Sequence, residues 1–294
     1  MSKRTVTGVV YVAVFLALTA LKWLIPGGWG FFGFDILFCA ISIIGCIEFL
    51  NATKNVSYPQ KVVTIAFCAV VVPLYVAVQM TVGDGFLAIG CCGCLYAFIL
   101  AGLNVFLHGD CTIRGTMTCF MAMLYCGILS SMLSAVNHLS ENSTAALLLL
   151  FLTVMFTDTG AYIIGSIFKK WMPYKLAPRL SPNKTVIGGV GGLVGGMIGA
   201  VAAYFIYYGL GIVLKTPLYY TGTHIHPAVC FLLIGLVTSA FAQIGDLFES
   251  AIKRECGIKD MGKCLPGHGG ILDRFDSMLF SSVVVLFSFG ILIL

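Results

Sequence analysis

The sequence predicts an all-α, polytopic integral membrane protein of about nine transmembrane helices, with the N-terminus cytoplasmic and the C-terminus outside. Hydrophobic residues make up 59% of the chain and charged residues only 10%, against roughly a quarter charged in a soluble domain. The apolar residues gather into runs of about 20, the length that crosses a bilayer as a helix. The basic residues also sort. With the N-terminus inside, all of the 17 lysines and arginines except Lys22 and Lys215 fall on the cytoplasmic side, as expected for short loops in a membrane.

The expected spans run near 7–25, 32–50, 62–80, 86–107, 115–136, 145–167, 188–213, 227–248 and 275–294. The first is read as a retained span rather than a cleavable signal, because it is long and lacks a small-residue cleavage site. Residues 1–144 read as a scaffold. Asp35 and Glu48, at the two ends of the second span, are read there as interfacial acids or helix-end partners. The cysteines lie mostly inside apolar runs and are expected to pack as small hydrophobes. Residues 145–294 carry the chemistry, with cytoplasmic loops at 168–187 and 249–274.

The sixth span holds Asp158 in FTDTGAYIIG. A carboxylate at that depth needs a partner or a polar cavity, so Asp158 is either a structural link between helices or part of a site. The next loop sets Arg179, Ser181, Lys184 and Thr185 on a proline-constrained turn. That grouping suits an anionic-lipid surface or, more sharply, a cradle for phosphates. The seventh span opens with two ridges, Gly188–Gly192–Gly196–Ala200 and Gly191–Gly195–Gly199. Such ridges allow close helix packing and, with no strand leading into them, are not a nucleotide-binding glycine loop.

The eighth span ends with Asp246, Glu249 and Ser250 on one face, followed by Lys253 and Arg254. A salt-bridged helix end accounts for Glu249 and Lys253 but leaves Asp246 to be explained. A hard cation such as magnesium, which takes carboxylates together with substrate phosphates, would use it. The loop to the ninth span then brings Lys259, Asp260, His268, Gly269, Gly270, Asp273, Arg274 and Asp276. Cys256, Cys264 and His268 do not have the spacing of a zinc site. Acids for a metal and bases for phosphates beside a membrane interface point to metal-assisted phosphoryl or nucleotidyl transfer to a lipid.

Ser250-Ala-Ile-Lys253-Arg254, Lys259-Asp260, Gly262, Leu265-Pro266, His268-Gly269-Gly270, Asp273-Arg274 and Asp276 together resemble the signature of the CDP-diacylglycerol synthases, the phosphatidate cytidylyltransferases. Asp158-Thr-Gly-Ala-Tyr162 and Ser181-Pro-Asn-Lys184-Thr185 support the likeness. The close resemblance covers about residues 150–280, and the first half is similar only as a string of spans. It implies transfer of CMP from CTP to phosphatidate, with Mg2+ as cofactor and room for a second cation. Asp246 and Asp273 would hold the metal, completed by Asp158 and Asp276. Arg179, Lys184, Lys253, Arg254 and Arg274 would bind phosphates, joined by Ser181, Thr185, Lys259, Gly269 and Gly270. His268 would donate to the leaving pyrophosphate or order the glycine turn. Ile187 stands where the family usually has an acid, so no role of that acid carries over.

The expected partners are CTP, phosphatidate and membrane lipids. A homodimer is compatible with the sequence, and no nucleic acid is expected. The expected location is the inner (plasma) membrane with the site on the cytoplasmic face. Two other readings use the same residues: a sugar-phosphate transferase to a polyprenyl phosphate, and a transporter of anionic solutes. The second would want charges near the bilayer midplane in paired halves, whereas here they gather at one face of one half. A catalytically impaired scaffold has only Ile187 in its favour.

Overall fold

In hydrocarbon a backbone must satisfy its own hydrogen bonds, so each long apolar run closes into a helix. The computed structural model describes residues 3–25, 29–139, 142–172, 174–214, 226–264 and 269–292. Its helices are α1 (Lys3–Leu24), α2 (Phe32–Thr53), α3 (Tyr58–Thr81), α4 (Gly85–Phe106), α5 (Ile113–Ala122), α6 (Leu129–Asn137), α7 (Ser143–Phe168), α8 (Val186–Leu214), α9 (Pro227–Glu255) and α10 (Leu272–Leu292). A π turn at Met123–Ile128 joins α5 to α6. Among the described residues, 7 helices are long and apolar enough to cross a membrane, the continuous stretch Ile113–Asn137 counting as one. The chain is therefore an all-α, polytopic integral membrane protein, and α1 and α10, with 22 and 21 residues, are helices as well.

The observed ends differ from the expected ones where polar residues favour helix. α3 starts early, at Tyr58, because Ser57 and Gln60 form a capping box ahead of it. α9 runs on past the apolar stretch to Glu255, since Ser250-Ala-Ile-Lys-Arg-Glu contains mostly good helix formers. The loop between α7 and α8 is not wholly irregular. β1 (Lys175–Ala177) pairs antiparallel with β2 (Ser181–Thr185). Ala177 and Ser181 each precede a proline, which biases them toward extended backbone, and the Leu180 N–H donates to the Ala177 carbonyl at 3.2 Å to close the turn.

The chain forms two compact units. The first comprises residues 1–134 and 256–275. Its interior joins apolar packing to buried polar links. Ser42 donates to the Cys68 carbonyl at 2.9 Å. Fully buried Gln60 donates to Thr116 Oγ1 at 2.9 Å and to the Thr112 carbonyl at 3.2 Å. Ser134 donates to Asp35 Oδ1 at 2.5 Å, so the buried Asp35, read from the sequence as an interfacial acid or a helix-end partner, links α2 to α6.

The second unit comprises residues 135–255 and 276–294. Its helices meet along the glycine ridges of α8. A Cβ on Gly191, Gly195 or Gly199 would strike Ile164 or backbone carbonyls of α7, and one on Gly192 or Gly196 would strike Gln243 or Ser239 of α9. One ridge thus serves α7, and the other serves α9 while also meeting α7 at Gly188 and Gly196. Tyr204, Phe231 and Phe289 stack edge to face beside them, and Ser281 donates to the Thr238 carbonyl at 3.2 Å.

Candidate active site

Within the second unit, a cavity of about 600 Å³ opens between the C-terminal half of α7, the hairpin, the start of α8 and the last third of α9. Asp158, Tyr162 and Ser166 reach it from α7, Lys169 from just past its end, and Ser181, Asn183, Lys184 and Thr185 from β2. Gly188 and Gly189 line it from α8, and Gln243 and Asp246 from α9. Five residues expected from the sequence, Asp158, Ser181, Lys184, Thr185 and Asp246, are brought together here.

Their local chemistry is specific. Lys184 Nζ forms an ion pair with Asp246 Oδ2, with both side chains about one-third exposed. Asp246, which the helix-end reading left unexplained, therefore has the hairpin lysine as its partner. Thr185 is 3% exposed and its Oγ1 accepts the Gly188 N–H at 3.1 Å, capping α8. Gln243 donates to the Gly189 carbonyl at 3.1 Å and ties α9 to the mouth of α8. Sequence reasoning missed Gln243. Its signal was a lone amide three residues before Asp246 in an otherwise apolar run.

The basic residues further along α9 make their contacts with the frame. Lys253 donates to Glu249 Oε2 at 2.9 Å, and the Glu249 side chain is only 1% exposed. Arg254 Nε donates to the Leu180 carbonyl at 3.2 Å and braces the hairpin turn. Arg179, on that turn, is exposed and does not line the cavity. Asp276 is buried and accepts the Ser277 N–H at 2.6 Å.

The rest of the motif belongs to the first unit and has its own network. Asp273 Oδ2 accepts the N–H groups of Met261 and Gly270, both at 2.8 Å. Gly269 sits at φ +89°, where a Cβ would lie 2.8 Å from the Asp273 carboxylate, so glycine is required there. Lys259 and Arg274 are exposed. His268 lies outside the described residues. Glu48, read as an interfacial acid or a helix-end partner, accepts the N–H of Ile271 at 3.1 Å and of Leu272 at 3.0 Å, and so caps α10.

Among the described residues no three His, Cys, Asp or Glu side chains form a metal cage. The two carboxylates in the cavity, beside a lysine and hydroxyls, suit a magnesium ion that brings its remaining ligands with a substrate's phosphates and waters.

Fold and site together define a membrane-embedded protein that presents two acids and a lysine to a cavity of about 600 Å³. A model of the cytidylyltransferase family matches residues 2–292. A phosphatidate cytidylyltransferase of Staphylococcus haemolyticus is 33% identical over 282 residues, 95% of each chain. Enzymes of the same name from Staphylococcus aureus and Staphylococcus epidermidis are each 32% identical, over 285 and 286 residues and again 95% of each chain. The chain belongs to the cytidylyltransferase family. The match extends through the N-terminal half, which from its motifs alone was similar only as a string of spans.

Proposed function

We propose that this protein is a phosphatidate cytidylyltransferase, which joins CTP to phosphatidate and yields CDP-diacylglycerol and pyrophosphate. The observation that carries the reading is the cavity in which Lys184 and hairpin hydroxyls face Asp158 and Asp246, in a chain matched to the family end to end.

The phosphate of phosphatidate is ionised near neutral pH and needs no strong base. It attacks the α-phosphorus of CTP in line, the new P–O bond forms, and the bond to pyrophosphate breaks. This chain's part is to position and to neutralise charge. Lys184 turns from Asp246 to a phosphate oxygen, and the carboxylates of Asp246 and Asp158 are then available to magnesium. A bound magnesium ion supplies charge neutralisation on the triphosphate. On the strength of the motif, Asp273 and Asp276 complete the acid set, and Lys253, Arg254, Lys259 and Arg274 supply positive charge for the phosphates. The orientation that sorts the basic residues is adopted here. It gives nine spans, a cytoplasmic N-terminus, an outer C-terminus, and a site on the cytoplasmic face of the plasma membrane. Residues 145–294 carry most of the chemistry.

The test is pyrophosphate release by the purified protein in detergent with CTP and phosphatidate, with and without magnesium. Release that needs both substrates and magnesium, and is lost in Asp273→Asn, supports the reading. Release of nucleoside monophosphate from a sugar nucleotide with polyprenyl phosphate instead, or no pyrophosphate from folded protein, overturns it.

A further inference from the structure

Glu48 comes from the half of the chain that carries none of the motifs, yet it is bound to the motif loop. It lies on α2 and is 6% exposed. Each oxygen takes one amide: Oε1 that of Ile271 at 3.1 Å, and Oε2 that of Leu272 at 3.0 Å. These are the N–H groups at the start of α10 that the helix itself cannot satisfy. The loop is shaped to the carboxylate, because a Cβ on Gly262 or on Gly270 would overlap it. Leu272 is fully buried and packs at Gly45, one turn before Glu48 on α2.

The residue after this clamp is Asp273, and the two acids grip the same strip of backbone. Gly270 abuts Glu48 on its Cα side and gives its N–H to Asp273. A buried carboxylate is costly unless fully hydrogen-bonded. Here it does what an uncharged side chain of that size cannot, since glutamine offers one acceptor oxygen rather than two.

We propose that Glu48 is a positioning residue for the reaction. Its carboxylate fixes the start of α10 and, through the loop it shares with Asp273, the direction of the Asp273 side chain. The inference rests on reading Asp273 as a residue of the reaction site.

The experiment compares the full-length wild type with Glu48→Gln, Gly262→Ala and the double variant in detergent. It follows amide exchange at Ile271, Leu272, Met261 and Gly270 alongside steady-state pyrophosphate release. In Glu48→Gln, exchange is expected to quicken roughly tenfold at all four amides, the scale of a lost charge-assisted hydrogen bond. The value of kcat should fall roughly 10- to 100-fold, as for a displaced reacting group, with KM for CTP within about threefold of wild type. Gly262→Ala, which displaces the carboxylate from the loop side, should reproduce both effects, and the double variant should be little worse than either, because the two act on one contact. Glu48→Asp, which keeps the charge at shorter reach, should fall between wild type and Gln and stands in if the Gln variant does not fold.

Faster exchange confined to Ile271 and Leu272, with Met261, Gly270 and kcat as in wild type, would reduce Glu48 to a local cap and overturn the proposal. A wild type that releases no pyrophosphate would sink the functional reading instead. Exchange at Met261 and Gly270 would still decide whether Glu48 holds the loop of Asp273.

Discussion

Lys184 on β2 and Asp246 on α9 are 62 residues apart and form an ion pair at the cavity wall. A partly exposed pair of this kind contributes little to stability, about 0–1 kcal/mol. Its value lies in holding a cation and a carboxylate ready at one place. Lys184→Met is therefore expected to leave the melting temperature within a few degrees of wild type. It should lower kcat/KM for CTP by roughly 100-fold or more, the scale of a lost charged contact to a phosphate. Thermal unfolding and steady-state kinetics on the same preparation check both halves. A variant that unfolds early but retains its turnover would make the pair structural.

The hydroxyl of Thr185 caps α8 at the point where the hairpin becomes a helix. Thr185→Ser keeps the acceptor oxygen and should be close to neutral. Thr185→Val loses it, and should cost about 1 kcal/mol of stability, as for a lost N-cap, together with part of the affinity for CTP. Thermal unfolding and KM for CTP of the two variants provide the comparison.

Gly195→Ala tests the α7–α8 contact. A Cβ there would run into the Phe156 carbonyl, and backbone cannot step aside as a side chain can. The expected loss is about 1–3 kcal/mol, the range for overpacking, seen as faster thermal inactivation. Gly90→Ala, with open space around its Cβ position, is the matched control and should behave as wild type.

Desolvation, and then the Glu48 carboxylate, push the Cys264 thiol above its ordinary pKa. The thiolate is the reactive form, so at a given pH near 8 less of it is present than on an unperturbed cysteine. Glu48→Gln removes the negative charge, lowers the thiol pKa and should speed alkylation of Cys264, with the rate-against-pH curve moving to lower pH. Peptide-resolved mass spectrometry separates Cys264 from the other thiols. An unchanged curve would mean that the carboxylate does not reach the thiol.

The parts of this protein written in local sequence were legible. Apolar runs gave the helices, the glycine ridges of α8 gave close packing, Asp158 and Asp246 stood out because charge in an apolar run must be accounted for, and Lys184 stood out on its proline-constrained basic turn. What was missed depends on partners far along the chain or on competing propensities. Gln243 is a neutral amide and draws no notice until its hydrogen bond to Gly189 is seen. The hairpin at 175–185 is too short to show a strand period against its own charges. Glu48 was readable as a helix-end partner, but not as the partner of a helix beginning at Leu272, because nothing near residue 48 encodes that pairing.

The wide separation of Glu48 from its amides has a consequence during synthesis. The Glu48 carboxylate is made 223 residues before the Ile271 amide that it accepts. At roughly 5–20 residues per second of translation, it waits about 10–45 s in a nascent, partly inserted bundle with an acid at the end of α2 and no Ile271 or Leu272 amide to receive. The first unit is complete only when residues 256–275 have been made, so a ribosome stalled before Ile271 leaves behind a chain with most of its membrane helices made and without the two amides that carboxylate accepts.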